Sequence, residues 1–259
     1  MKKFLATAAF LVAGSVAASA ADLPVRGYTK AAPSVAVSPY YDWSGFYIGA
    51  NAGYGWARDD HADLTTGGGF FTNGPTGPFG GTQRIEPRGA VYGGQAGYNW
   101  QAANWVFGLE IAGDGTSIRR TDSSIFFPDD EFLRARIDGI VTVTGRIGYS
   151  FNNFLPYIKG GYAAADLSTR NYNITGTVAL DHSEWRSGYT IGGGIEYGFT
   201  PNWTFGVEYA YMDFGTRDWN GVNSGGGAEH FNEDLRVSTI TARLNYKFGL
   251  GSGPVVARY

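Results

Sequence analysis

Gly45-Phe46-Tyr47-Ile48-Gly49-Ala50-Asn51-Ala52-Gly53-Tyr54-Gly55-Trp56 alternates along its whole length. Phe46, Ile48, Ala50, Ala52, Tyr54 and Trp56 make an apolar face. Gly45, Gly49, Asn51, Gly53 and Gly55 make a small or polar one, with Tyr47 the exception. A period of two is the mark of a β-strand whose two faces meet different surroundings. The device recurs in about eight stretches, and the gaps between them run long, short, long, short. Gln101 to Asn104, Asn152-Asn153 and Thr200-Pro201-Asn202 are the short gaps. This rhythm predicts an all-β fold, an eight-stranded antiparallel up-and-down transmembrane β-barrel with turns in one compartment and loops in the other.

Working outward from the first strand, the second spans about 89–101, with Ala90, Tyr92, Ala96, Tyr98 and Trp100 on the bulky face. The third, about 105–116, turns Trp105, Phe107, Leu109 and Ile111 one way and Glu110 and Asp114 the other. The fourth, 136–151, separates Val141, Val143, Ile147 and Tyr149 from Asp138, Thr142, Thr144 and Arg146. In the fifth, about 155–166, Ile158, Tyr162 and Ala164 face out and Lys159 faces in, because the opposite phase would put a lysine in lipid. The sixth, 185–199, sends Arg186, Thr190 and Glu196 inward; the seventh, about 203–212, sends Glu208 inward. The eighth, about 235–248, places Ile240, Ala242, Leu244, Tyr246 and Phe248 opposite Thr239, Thr241, Arg243, Asn245 and Lys247. Loops are expected at about 58–88, 117–135, 167–184 and 214–234.

A soluble β-sandwich or soluble ligand-binding barrel also alternates, but buries its bulky face. Size discriminates between them. Eight strands enclose only enough space for side chains, so the Trp, Tyr, Phe and Ile face must point outward, into lipid. Aromatics at the short-turn ends agree: Trp43, Trp100, Trp105, Phe151, Phe199, Trp203, Tyr246 and Phe248 form an expected interfacial girdle. Charged residues are 17% of the chain and mean hydropathy is −0.19, too polar for a helical membrane protein. A barrel tolerates that composition because only alternate residues meet lipid.

Residues 1–20 read as a signal peptide, with Lys2 and Lys3 before a short apolar stretch and Ala18-Ser19-Ala20 as the cleavage site between Ala20 and Ala21. Cleavage takes the 20 basic residues to 18 against 23 acidic ones, a net of −5 that gives no support to nucleic-acid binding. Residues 21–42, with Pro24, Pro33 and Pro39, read as an extended periplasmic linker; 43–248 as the barrel; 249–259 as a C-terminal tail. There is no cysteine, so neither a disulfide nor a cysteine lipid anchor is available.

Candidate chemistry is confined to the inward charges Glu110, Asp114, Asp138, Arg146, Lys159, Arg186, Glu196, Glu208 and Arg243. In a narrow lumen such charges must pair or stay hydrated. A space-filling ion-pair network is the expectation, and a small polar channel the alternative. No catalytic, cofactor or metal site is expected. His61, His182 and His230 are far apart, with no ligand spacing. His182-Ser183-Glu184 carries hydrolase residue types, but sequence neighbours cannot serve one another as nucleophile, base and orienter. Asp129-Asp130-Glu131 reads as a solvated loop, and the glycine triplets lack the following helix of a phosphate cradle.

Trp43-Ser44-Gly45-Phe46-Tyr47-Ile48-Gly49 with Asn51-Ala52-Gly53-Tyr54-Gly55-Trp56 resembles the alphaproteobacterial outer-membrane surface antigens, the outer-membrane immunogenic protein group of small OmpA/OmpX-type barrels. Ala20-Ala21-Asp22-Leu23-Pro24, Gly192-Gly193-Gly194-Ile195-Glu196-Tyr197, Thr200-Pro201-Asn202-Trp203 and Leu244-Asn245-Tyr246-Lys247-Phe248 carry the same likeness. The resemblance implies a Gram-negative outer-membrane location and no catalytic residues. It implies surface loops that meet host or environment, so a non-enzymatic surface antigen contributing to envelope integrity is expected, with a passive channel or a loop-borne adhesin as alternatives. Expected partners are outer-membrane lipid and lipopolysaccharide, the barrel-insertion machinery, and host or environmental ligands of the loops. The tail ending in Arg258-Tyr259 departs from the simplest pattern, in which the last strand ends the chain.

Overall fold

Alternation becomes a wall when each strand finds a partner for its backbone groups, and in lipid the wall must close on itself. In the computed structural model, which describes residues 41–63, 82–123, 131–173, 178–222 and 228–248, it does close. The elements are β1 (Gly45–Asp63), β2 (Thr82–Ile85), β3 (Arg88–Ala102), β4 (Trp105–Ser123), β5 (Glu131–Tyr149), β6 (Phe154–Asn173), β7 (Val178–Gly198), β8 (Trp203–Val222) and β9 (Ala228–Phe248). Each pairs antiparallel with its neighbour, and β1 also pairs with β9 from Phe46↔Phe248 to Asp63↔Phe231. The expected signal peptide, most of the linker and the tail lie outside the described residues.

The barrel has eight staves, the second of which is interrupted. β2 extends the line of β3 along β1, from Asp59↔Ile85 upward, while β3 pairs from Trp56↔Arg88 downward. Pro87 sits at the break, where it has no N–H for the ladder but accepts from the Ala57 N–H at 2.8 Å. The short connections fall where expected. Asn152 adopts φ 58° in the β5–β6 turn and Ala103 φ 54° in the β3–β4 turn, a conformation more natural to asparagine than to alanine.

The bulky face is outward on every full-length stave. Ile48, Tyr92, Leu109, Val143, Ile158, Ile191, Tyr209 and Leu244 are exposed on the outer wall. The expected long loops are a different matter. β1 continues to Asp63, β4 to Ser123, β8 to Val222, and β5, β7 and β9 begin correspondingly early. Strands of about 20 residues, at about 3.3 Å per residue and 45° tilt, rise well above an apolar band about 25 Å tall. Much of what reads as loop is therefore a β collar beyond the membrane.

In the collar the alternation persists and its sign reverses. Inward Ala57, Val91, Ile118, Ile137, Ala165, Leu167, Phe214, Leu235 and Val237 form one buried apolar cluster, while Arg58, Arg88, Arg119 and Arg136 face out. Water now surrounds the wall, so the hydrophobic effect selects the opposite face. A bulge in β5 adjusts the phase. Ile137 and Ile140 are both buried, with Asp138 and Gly139 between them where the register to β6 shifts.

Candidate functional site

The inward side chains of the membrane band come from every full-length stave and meet in two tiers. The upper tier is a ring of four alternating charges. Lys159 on β6 puts its Nζ 3.0 Å from Glu110 Oε1 and 2.7 Å from Glu208 Oε1. Arg243 on β9 closes the ring, with its two terminal nitrogens on Glu110 Oε2 and Glu208 Oε2. Two tyrosines brace it: the Tyr47 hydroxyl donates to Glu110 Oε2 at 2.7 Å, and Tyr157 donates to Glu208 Oε2 at 2.7 Å.

The lower tier centres on Arg146 of β5. Its guanidinium lies 4.7 Å from the Tyr47 ring centroid and 5.2 Å from that of Tyr157, stacked between the residues that brace the ring above. Nη1 is 3.2 Å from Glu196 Oε2, and Nε donates to Asn99 Oδ1 at 2.9 Å. Glu196 Oε1 also accepts from Asn245 Nδ2 at 2.7 Å and from the Thr204 hydroxyl. Three carboxylates thus face three cations in direct contact, as desolvated charges require.

Inward glycines make this packing possible. A Cβ on Gly97 would stand 2.6 Å from Tyr47 Cζ, one on Gly194 2.8 Å from the Tyr157 hydroxyl, and one on Gly108 3.0 Å from Arg146 Cγ. The small inward residues of the alternation are therefore clearances for long side chains on neighbouring staves.

Six of the nine inward charges read from the sequence meet in these tiers: Glu110, Arg146, Lys159, Glu196, Glu208 and Arg243. Asp114 lies just above, reached through Asn51, whose Nδ2 donates to Asp114 Oδ1 at 2.8 Å and to Gln95 Oε1 at 3.0 Å. Arg186 is separate. It is buried in the collar, with Nη1 3.1 Å from Glu233 Oε2 and Nη2 donating to the Glu233 carbonyl at 3.1 Å. Asp138 is a correction. The β5 bulge turns it away from the lumen, where it pairs with exposed Arg136. Tyr47, Tyr157, Asn51, Gln95, Asn99 and Asn245 belong to the network and are absent from the charge reading. Tyr47 had a signal, as the one bulky residue on a small face, and Tyr157 shares the inward phase of Lys159.

Trp43 is a second correction. It is buried rather than part of the girdle, and packs on Tyr41 at 4.6 Å between ring centroids, among Val106, Leu155 and Tyr157. Its indole N–H donates to the Asn152 carbonyl at 3.1 Å and its backbone N–H to Gln101 Oε1 at 2.7 Å. Trp43 precedes β1, so no strand phase holds it outside, and the chain folds beneath the lumen as a plug. Lys247 pins that plug through the Asp42 carbonyl and lies over the Tyr41 ring. The other girdle residues, Trp100, Trp105, Phe151, Phe199, Trp203, Tyr246 and Phe248, remain on the outer wall at the short-turn end. There Trp203–Tyr246 and Tyr246–Phe248 stack edge-on at 5.1 and 5.0 Å.

The space above the ring is a cavity of about 30 Å³, walled by residues that include Asp114, Thr142, Lys159 and Arg243. It has room for about one water molecule. Plug, charge tiers and apolar collar core thus succeed one another along the lumen. His230 bonds Asn220 on the collar, with Nδ1 2.6 Å from Asn220 Oδ1. The side chains of His61 and His182, and all of Asp129-Asp130, lie outside the described residues. Among the described residues no group of three His, Asp or Glu converges as a metal site.

A closed eight-stave barrel with a polar lumen, a lipid-facing apolar band and an aromatic girdle is a transmembrane outer-membrane barrel. The chain belongs to the outer membrane protein β-barrel domain family, whose family model matches residues 6–248. It is 30% identical over 239 residues to the 31 kDa outer-membrane immunogenic protein of Brucella melitensis, covering 90% of this chain and 95% of that one. It is 29% identical over 204 residues to the 22 kDa outer membrane protein of Rhizobium leguminosarum, covering 76% of each chain. The solved neisserial surface protein A aligns with 79% of this chain and 98% of its own, at 18% identity and a TM-score of 0.39. The protein resides in the outer membrane.

Proposed function

We infer that this protein is a non-enzymatic surface antigen of the outer membrane, which stiffens the envelope and displays its collar and loops outside the cell. One observation carries the reading. The lumen is filled by neutralised charge and side-chain packing, so the surface available for specific contact is the exterior rim. The immunogenic-protein names of the Brucella relatives support the same reading. The test uses intact cells carrying a short epitope within residues 64–81, which join β1 to β2. Antibody binding without permeabilisation is the expected result. Staining only after permeabilisation would overturn the orientation and the display reading together. Envelope integrity is read separately: a deletion strain is expected to lose resistance to detergent and to regain it on complementation.

The channel reading rests on the same mixed-charge lumen and fares worse, because Tyr47, Arg146 and Tyr157 stack across it. Wild-type protein in a planar bilayer is expected to show no steady openings. Openings that shift when Arg146 or Glu196 is neutralised would replace the display reading with a channel.

A further inference from the structure

On the outer wall, where the membrane band gives way to the collar, Tyr54, Trp56 and Tyr211 line a pocket of about 580 Å³ with Arg58, Arg88 and Arg236. Register brings them together from separate staves: Trp56 pairs with Arg88 on one side and Ser238 on the other, Ser238 with Tyr211, and Arg58 with Arg236. Below this level the outer wall of β1 is Phe46, Ile48, Ala50 and Ala52; above it come Arg58 and Asp60. The same switch occurs on β3 between Ala90 and Arg88, and on β9 between Ile240 and Arg236. The pocket therefore lies at the headgroup level, with aromatic surface toward the acyl chains and guanidinium groups toward the water.

The charges are incompletely matched from within the protein. Arg88 is held by Glu86 at 2.7 Å, and Glu86 also lines the pocket. That hydrogen bond keeps the Glu86 carboxyl below its usual pKa range. Arg236 pairs with Asp234 at 2.7 Å, but its Nε–H has no hydrogen-bond acceptor and stands 3.7 Å from Asp213. The Arg58 side chain makes no ion pair or hydrogen bond among the described residues, and neither does that of Arg119, which stands opposite Arg88 in the register of β4. Arg236, Arg58, Arg88 and Arg119 thus stand on four successive staves at one membrane interface, two of them without an ion pair among the described residues.

We propose that this pocket binds the phosphorylated headgroup of an outer-leaflet glycolipid, lipopolysaccharide, with Arg58 and Arg88 on the phosphate and Tyr54, Trp56 and Tyr211 against the sugar and proximal acyl chain. Arginine suits this task because its planar fork matches two phosphate oxygens at once and is weakly hydrated. The inference rests on the outward orientation of the collar argued above.

The test compares refolded wild-type protein with Arg58→Gln/Arg88→Gln and with the control Arg217→Gln, an exposed arginine paired with Glu184 on another part of the collar. Each is placed in nanodiscs containing lipid A, dephosphorylated lipid A or phosphatidylcholine, and retained lipid is measured after detergent exchange. Wild type and Arg217→Gln are expected to retain lipid A, and the double variant to retain about tenfold less, as loss of roughly 1.4 kcal/mol or more of contact energy implies. Equal retention by the double variant, with its heat-dependent gel mobility intact, overturns the proposal. So does equal retention of dephosphorylated lipid A, which would make the contact apolar only. Release of lipid A by millimolar inorganic phosphate would mark a free-phosphate site and overturn the lipid assignment. Surface staining of intact cells separates the two readings: a protein stained from outside that retains no lipid A loses only this site.

Discussion

Lys159 illustrates what a single inward residue is worth. Its ammonium bridges Glu110 and Glu208, which otherwise share only Arg243 among the lumen cations in direct contact. Lys159→Met fills the volume but strands a carboxylate away from water, and breaking a buried pair from one side costs about 3–5 kcal/mol. Urea unfolding of the vesicle-inserted protein, followed by tryptophan fluorescence, is expected to show that loss. Adding Glu208→Gln restores the charge balance and is expected to recover part of it; a double variant as unstable as the two losses summed would mean the ring is not coupled. Gly97→Ala tests the clearance for Tyr47. Its new Cβ would meet the tyrosine 2.6 Å from Cζ, so the ring must shift away from Glu110. Overpacking of this kind costs about 1–3 kcal/mol, with unfolding the measurement and native-like stability the result that would refute it.

Among the elements, β5 shows how one extra residue changes what a strand does. Its bulge at Asp138-Gly139 lets Thr142 and Thr144 line the lumen below while Ile137 and Ala135 enter the apolar collar above. Deleting Asp138 removes the extra residue and leaves an unbroken alternation in which Ala135, Ile137, Ile140 and Thr142 stay inward and Arg136 stays outward. Membrane band and collar core are therefore both expected to survive. Limited proteolysis of the inserted protein checks this: an unchanged digestion pattern is expected, and new cleavage at the ends of β4–β6 would show that the bulge itself holds the collar closed.

At the scale of the whole molecule, closure is the decisive property. The β1–β9 ladder leaves no stave edge open in lipid, so an unboiled sample is expected to run ahead of a boiled one in an SDS gel. A chain recovered in the soluble fraction, with no such shift, would contradict the membrane barrel. The lumen is closed as well, by plug and charge together. Trp43→Ala alone is therefore expected to lower stability, by about 3–5 kcal/mol for a buried aromatic, without producing conductance. Conductance from this single variant would show that the plug, not the charge tiers, seals the barrel.

Much of this design is legible along the chain. Phe46 to Trp56 and Ile240 to Phe248 disclose strand, phase and outward face, because side-chain direction alternates locally and lipid accepts only one of the two faces. Inward Glu110, Lys159 and Arg243 disclose that the lumen is charged. Which carboxylate meets which cation is not written there, since these residues are 49 to 133 positions apart and meet only through strand register. Nor are Trp43 in the plug, Asp138 outside the lumen, or strands in place of loops. Trp43 lies beyond the reach of strand phase, a bulge breaks the period it interrupts, and the collar reverses the sign of the alternation where water replaces lipid. The wall and its orientation to lipid follow from residues adjacent in the chain, because the alternation that sets them is local. How the wall is filled, sealed and extended emerges only once the staves are assembled, because it depends on contacts between residues far apart in sequence.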